Sequence, residues 1–254
     1  MRLRLTKAVK SLLIIYLAVF LIQQTADQYL GGNLLGLFGL VPANVVIKHY
    51  FWQVITYAFL HGDVTHLFLN GLMLLFIGSE LEALWGTARF IRYYFSCLIG
   101  AATFYLLLQL AIFKGEWLAI PMVGASGAIY GLLMAYGLIF SERVLLFMMI
   151  FPMKAKHFIW ILAGLEFMAT VFSSKGGLSG LAHLGGLISG FVYLWAAAAR
   201  SIAKKKRAIM DSSQATKSKK TSSRNHLKLI IDNERKKVSG VNGNADGNTP
   251  KTWH

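Results

Sequence analysis

This chain has almost no cysteine and little negative charge. One cysteine, Cys97, stands among 254 residues. A single thiol closes no intrachain disulfide, which excludes a disulfide-stapled scaffold. Charged residues make up only 15% of the chain and hydrophobic residues 56%, where soluble domains carry about 25% charge. With a mean hydropathy of +0.53, that excludes an ordinary soluble domain and a disordered chain. The length allows one domain with an appendage. Acidic residues number 11 against 26 Lys and Arg, a net charge of +15. In a soluble protein this excess would suggest nucleic acid. Here the basic residues cluster where the cytoplasmic face of a membrane favours them, so no nucleic-acid partner is read. Residues 201–254 alone hold 13 basic and four acidic residues.

A membrane-crossing helix needs about 20 mostly apolar residues. Six segments qualify or come close: residues 11–30, 64–85, 93–113, 122–140, 157–172 and 181–199. The fold class is therefore all-α, polytopic and membrane-embedded, with residues 1–200 as the membrane domain. The outer half of span one is weakened by Gln23, Gln24, Asp27 and Gln28. Basic residues precede it as in a signal peptide, but no small-x-small cleavage pattern follows, so it is expected to be retained. Residues 31–60 carry four glycines and Pro42 and read as a structured loop partly sunk in the membrane. Residues 144–153 are too short to cross and contain Pro152; they read as a connector at the interface. Residues 201–254 are rich in Lys, Ser, Thr and Asn and read as a largely disordered basic tail, with a short helix at 225–237.

Lys and Arg bias sets the orientation. Arg2, Arg4, Lys7 and Lys10 precede span one, Arg89 and Arg92 separate spans two and three, and Arg143, Lys154 and Lys156 separate spans four and five. The other side receives Lys48, Lys114 and Lys175. Both termini are expected in the cytoplasm, with spans two, four and six entering from the outer side. A bacterial plasma membrane fits the short loops best. The tail either touches anionic lipid or is a solvated flank of span six.

Polar residues inside spans are costly and stand as functional candidates. Ser126 lies in Val-Gly-Ala-Ser-Gly at 123–127, with Gly124 and Gly127 on either side and Tyr130 one turn on. Serine among small residues is commonly helix-packing material. Five residues after Pro121, however, Ser126 would lie roughly 7 Å below the outer end of span four. His183 opens span six, with Gly186 and Gly190 on its face. Gly127, Gly131 and Ala135 form a matching stripe on span four. Two such stripes pack closely enough to bring His183 beside Ser126. His66 and Asn70, at i and i+4, share a face of span two at similar depth. They can be interhelical hydrogen-bonders or donors to a developing oxyanion. A serine hydroxyl needs a neighbouring base, and His183 can be that base. No orienting carboxylate is evident behind it: Asp63 lies at the mouth of span two, with nothing to aim it at His183. A dyad is therefore expected in place of a triad.

These motifs, in this order and spacing, resemble the rhomboid family of intramembrane serine proteases. The likeness rests on His66-x-x-x-Asn70, Gly124-x-Ser126-Gly127 with Tyr130, and Ala182-His183-x-Gly185. His61 and the stretch from Glu80 and Glu82 to Gly86 add to it. It covers about residues 50–195. The resemblance implies six helices around a water-filled cavity open to the outer side, and hydrolysis of a peptide bond in or near the transmembrane helix of a membrane-protein substrate. It implies Ser126 as nucleophile, His183 as base with Tyr130 stacked on its ring, and an oxyanion hole from His66, Asn70 and the Ser126 backbone N–H. No cofactor is implied. Many members carry a Trp-Arg pair in the first outer loop, whereas residues 31–50 have neither residue.

Two other function classes fit less well. An inactive binder of transmembrane helices would usually lack the serine or the histidine, and both are present. A six-helix transporter would commonly show repeated halves, and none is legible. Glu80, Glu82 and Glu166 read as polar contacts or interfacial positions before an ion pathway. Phe51, Trp52, Tyr57, Trp85, Tyr93 and Tyr94 read as interface anchors, and Cys97 as core packing. The two histidines of 61–66 lack a zinc spacing, so no metal is expected. No oligomeric state is read from the sequence.

Overall fold

The computed structural model of the protein describes residues 5–112, 115–147, 151–172 and 177–241. The chain divides into two compact units, Met1–Ala196 and Ala197–His254. Lys114, Lys175, Arg2, Arg4 and the end of span three at Phe113 lie outside the described residues.

Among the described residues, five helices are long and apolar enough to cross a membrane, and a further helix, Ser126–Ile139, is apolar but shorter. Span one is Lys7–Tyr29. Span two runs over Val64–Trp85 as α-helix, one π turn at Leu74–Gly78, and α-helix again. Span three, Thr87–Ile112, follows after Gly86 alone. That reversal needs a left-handed residue, and Gly86 has φ 78°, where a side chain would be strained. Span five is Ala155–Phe172. The last helix runs from Gly177 to Val241.

Several polar residues of spans one and two find partners on other elements. Glu82 is buried and closes the N-terminal end of span one: its carboxylate accepts from the backbone N–H groups of Ala8 (2.9 Å) and Val9 (3.0 Å) and from the hydroxyls of Thr6 and Thr87. The first N–H groups of a helix have no partner within it, and here a carboxylate from another span supplies one. Towards the C-terminal end, the Gln23 amide donates to the His61 carbonyl (2.9 Å) and accepts from the His61 N–H (3.2 Å). Asp27 accepts from the Leu34 N–H at 2.8 Å. The polar C-terminal half of span one is thus tied to the loop that follows it.

That loop is folded, as expected, into the short helices Leu34–Phe38, Pro42–Ile47 and Gln53–Thr56 and the 3-10 turn Tyr57–Phe59. Buried Gln53 accepts from the Val41 N–H (3.0 Å) and donates to the Gly36 carbonyl (3.0 Å). The Trp52 indole donates to the Leu37 carbonyl at 2.9 Å. Leu40 and Met122 exchange two backbone hydrogen bonds of 2.9 Å, which lays the segment before Ser126 against the loop.

Two expectations are corrected, for the tyrosines and for the tail, and the connector gains a definite form. Tyr57, Tyr93 and Tyr94 are buried and do not anchor an interface, because each hydroxyl has an internal partner. Tyr57 donates to the Leu98 carbonyl (2.9 Å), Tyr93 to the Gly131 carbonyl (2.6 Å), and Tyr94 pairs with Tyr16. Phe51 and Trp52 are exposed as expected. The connector is an antiparallel hairpin of Val144–Phe147 and Phe151–Lys154. At its base Glu142 accepts from Lys154 and Lys156, and Arg143 pairs with Glu80. In the second unit the chain is helical through Val241 where disorder was expected, and residues 242–254 lie outside the described residues. The physical reason is local: residues 202–210 contain Ala, Lys, Arg, Ile and Met, mostly good helix formers. The described side chains from Ser201 to Lys237 are exposed.

Candidate active site

Ser126 is the first residue of its helix, and this corrects the depth expected for it. Residues 121–125 are not helical. Met122 bridges Leu40, the Gly124 N–H donates to the Tyr57 carbonyl at 2.9 Å, and Ala125 is the N-cap. The rise per residue therefore cannot be counted from Pro121. The break has a cause at Gly124, whose φ is 111°, a value that L side chains rarely adopt. A β-carbon there would also stand 2.6 Å from two atoms of the His66 ring. Gly124 thus lets the backbone turn and lets His66 lie against it. Gly127 makes room in the same way: its β-carbon would meet that of Ala101 at 2.6 Å. The two glycines serve close packing around Ser126 more than clearance of its hydroxyl.

Starting the helix at Ser126 has a chemical consequence. Ala125 provides no side-chain cap, so the first-turn N–H groups are left without helix partners. They carry the positive end of the helix dipole, beside the serine oxygen.

The glycine stripes bring spans four and six into backbone contact. A β-carbon at Gly186 would run into the Gly127 carbonyl, and one at Gly190 would stand 3.1 Å from both the Cα and the carbonyl oxygen of Gly131. At that separation His183 Nε2 lies 2.8 Å from Ser126 Oγ. The Tyr130 ring stacks on the His183 ring with centroids 4.2 Å apart and planes 4° from parallel. Ser126, His183 and Tyr130 therefore meet as expected.

His66 and Asn70 lie on the adjoining face of span two. The His66 Nδ1 atom accepts from the Gly62 N–H at 3.4 Å, which leaves the ring proton on Nε2, the nitrogen that faces Gly124. Buried Asn70 donates one amide hydrogen to the His66 carbonyl at 3.0 Å. Its second hydrogen remains. Asp63 caps this helix by accepting from the His66 N–H at 2.8 Å, so it is not behind His183. His61 is fully buried, its ring 5.2 Å from those of Tyr16 and His66. Burial pushes its pKa down to about 4, so it is a neutral spacer at neutral pH.

The residue that sequence reasoning missed is Glu166. One of its carboxylate oxygens, Oε2, lies 3.0 Å from His183 Nδ1. That nitrogen is buried and has no aligned hydrogen bond among the described residues, so the contact is one of ion-pair distance. The other oxygen accepts from the Tyr130 hydroxyl. The expectation that no carboxylate stands behind His183 is thus corrected, because span five packs against span four and turns Glu166 inward. The signal was present: Glu166 is a lone carboxylate within an apolar span, an expense normally met only for a reason.

The chain matches the family model described as the Rhomboid domain over residues 48–200. The chain belongs to the rhomboid family. Among curated relatives, it is 32% identical over 149 residues to "Rhomboid protein 1, mitochondrial" of Saccharomyces cerevisiae, covering 56% of this chain and 41% of that one. It is 32% identical over 145 residues to "Putative rhomboid protease YdcA" of Bacillus subtilis, covering 56% and 64%. To "Rhomboid protease GluP" of the same organism it is 28% identical over 167 residues, covering 66% and 29%. The alignments thus span less than two thirds of each of these relatives. Family and apolar helices together make this a multi-pass integral membrane protein.

Proposed function

We propose that this protein is a serine endopeptidase that hydrolyses a peptide bond in or near the transmembrane helix of a membrane-protein substrate. The observation that carries the reading is the 2.8 Å contact between Ser126 Oγ and His183 Nε2 at the open N-terminus of a helix. In the first step Ser126 Oγ bonds to the scissile carbonyl carbon while its proton passes to His183 Nε2. The carbonyl oxygen becomes an oxyanion, met by the Ser126 N–H, by His66 Nε2–H and by the free hydrogen of Asn70. As the C–N bond breaks, the proton on Nε2 goes to the leaving amine. A water then gives its proton to Nε2 and its hydroxyl to the ester carbon, which releases the acid and returns the proton to Ser126. Apart from the substrate and that water, these steps use groups of the chain alone.

Confinement by Gly124 and Gly127 favours a small residue at the scissile carbonyl. A helical backbone is shielded by its own hydrogen bonds, so Gly or Pro near the outer end of the substrate span should promote cleavage. The names of YdcA and GluP support the protease reading. The bias of basic residues supports both termini in the cytoplasm and a cut that releases the substrate's outer portion. The short loops fit a bacterial plasma membrane, while relatives also come from yeast mitochondria and from plants.

The test is cleavage of a reporter whose single transmembrane helix carries Gly near its outer end, with products read by mass spectrometry. Wild-type protein should cut once in the outer part of that helix, and Ser126→Ala and His183→Ala should each leave no product. A cut at the cytoplasmic end, or full cleavage by either variant, would overturn the reading.

A further inference from the structure

We propose that Glu166 is a positioning residue of this site, so that the chemistry runs on a Ser126–His183–Glu166 triad and not on a dyad. This rests on the serine-protease reading above. The argument is geometric. Base and nucleophile face each other through Nε2, so the state of Nδ1 decides whether Nε2 can accept a proton. An imidazole whose Nδ1 holds the proton presents a bare lone pair at Nε2. With Glu166 Oε2 at 3.0 Å, that tautomer is the one with a favourable contact at Nδ1. When His183 takes the Ser126 proton, the new positive charge on the ring lies beside a carboxylate in a poorly solvated site, where an opposite charge has its largest effect.

Glu166 also acts on the ring's face. Its second oxygen holds the Tyr130 hydroxyl, and the Tyr130 ring covers that of His183 at 4.2 Å. One carboxylate therefore restrains the imidazole at an edge directly and at a face through the phenol. The backbone is arranged to allow this. Gly180 of the last helix would bring a β-carbon to 3.1 Å from the Glu166 carbonyl oxygen and onto the Thr170 hydroxyl. The Thr170 hydroxyl itself donates to that carbonyl at 2.8 Å. Spans five and six thus approach to backbone distance one turn from His183, which sets how far the carboxylate must reach. No proton moves to Glu166 in this scheme: it orients the base and offsets its transient charge.

The experiment uses the full-length protein and the reporter above. Glu166→Gln keeps the side chain's length and can still accept from Tyr130, but it removes the charge. Its kcat should fall by roughly 10²–10⁴, the range from loss of one transition-state donor to loss of a triad carboxylate. KM should stay within about threefold and the thermal midpoint close to wild type, because Glu166 acts on the base and not on substrate binding, and its charge counts most once the ring is charged. A merely structural role would instead lower the midpoint and leave the surviving fraction's kcat intact. If Glu166→Gln does not fold, Tyr130→Phe supplies the readout: it keeps the stack and frees one oxygen of Glu166, and its kcat should drop by about tenfold with KM unchanged. Wild-type kcat in folded Glu166→Gln, or in Tyr130→Phe where the first does not fold, overturns the triad. Ser126→Ala and His183→Ala in the same assay separate the two claims. Should they be dead while Glu166→Gln is fully active, only the triad falls; should they still cut, the protease reading falls with it.

Discussion

Two carboxylates among these apolar helices, buried Glu82 and half-buried Glu166, are held in opposite ways. Glu82, at the C-terminal end of span two, has four donors: two backbone N–H groups and two threonine hydroxyls. None of these donors changes protonation at any working pH, so Glu82 is a fastener joining spans one, two and three. Glu166, in span five, faces an imidazole and a phenol, and the imidazole faces a serine. The chemistry of the partners, more than burial, separates an acid that supports the fold from one that takes part in a reaction. Damage at Glu82 should appear as lost stability with normal turnover, and damage around Ser126 and His183 as lost turnover with normal stability.

The sharpest way to break that contrast is at the base. His183→Ala should lower kcat by on the order of 10⁴–10⁶, with a thermal midpoint near wild type. The double variant with Ser126→Ala should be no worse than either single, since the two act as one unit. Asn70→Ala comes next. Loss of one oxyanion donor lowers kcat by about 10²–10³, and KM should barely move, because the oxyanion exists only on the way to the transition state. Unchanged kcat would remove Asn70 from the site. Glu82→Ala should do the reverse. It leaves two buried N–H groups and two hydroxyls unsatisfied, and each such group costs about 1–3 kcal/mol. The yield and thermal midpoint should fall clearly, while kcat per folded molecule stays within about twofold. A large kcat loss in well-folded Glu82→Ala would erase the distinction drawn here.

The smallest effect belongs to the connector hairpin. Hydrogen bonds from Lys154 and then Lys156 hold the fully exposed Glu142 carboxyl down at about 2, from an ordinary value of 4.5. A depressed folded-state value means the tie contributes at and above the usual carboxylate range and is lost as pH falls from there towards 2. Exposed pairs are weak and screened by salt. Glu142→Gln should therefore lower the thermal midpoint only slightly at pH 7, with activity unchanged. That difference should shrink in high salt and on acidification through the window from 4.5 to 2.

Most of the fold was legible because bilayer thickness imposes a length on every span and glycine spacing reveals close contact. The stripes at Gly127, Gly131, Gly186 and Gly190 correctly paired spans four and six, and with them Ser126 and His183. What the sequence hid were features that depend on a neighbour. Gly124 looks like a small residue of span four, yet its positive φ delays that helix to Ser126. Tyr57, Tyr93 and Tyr94 look like interface aromatics, but carbonyls and a hydroxyl on other elements take their protons. Glu166 looks like an isolated acid, because only the packing of span five against spans four and six brings it to His183. The tail's composition suggests disorder, but its Ala, Lys, Arg and Met residues favour the helix that runs to Val241.

The most direct measurement of the central claim, that Ser126 is a nucleophile activated by His183, is covalent labelling with a fluorophosphonate. The full-length protein in detergent is treated with the probe and the adduct located by mass spectrometry. One adduct per chain on Ser126 is expected, lost in Ser126→Ala and strongly slowed in folded His183→Ala. Folded wild-type protein that takes up no label, or carries it on another serine, would contradict the claim.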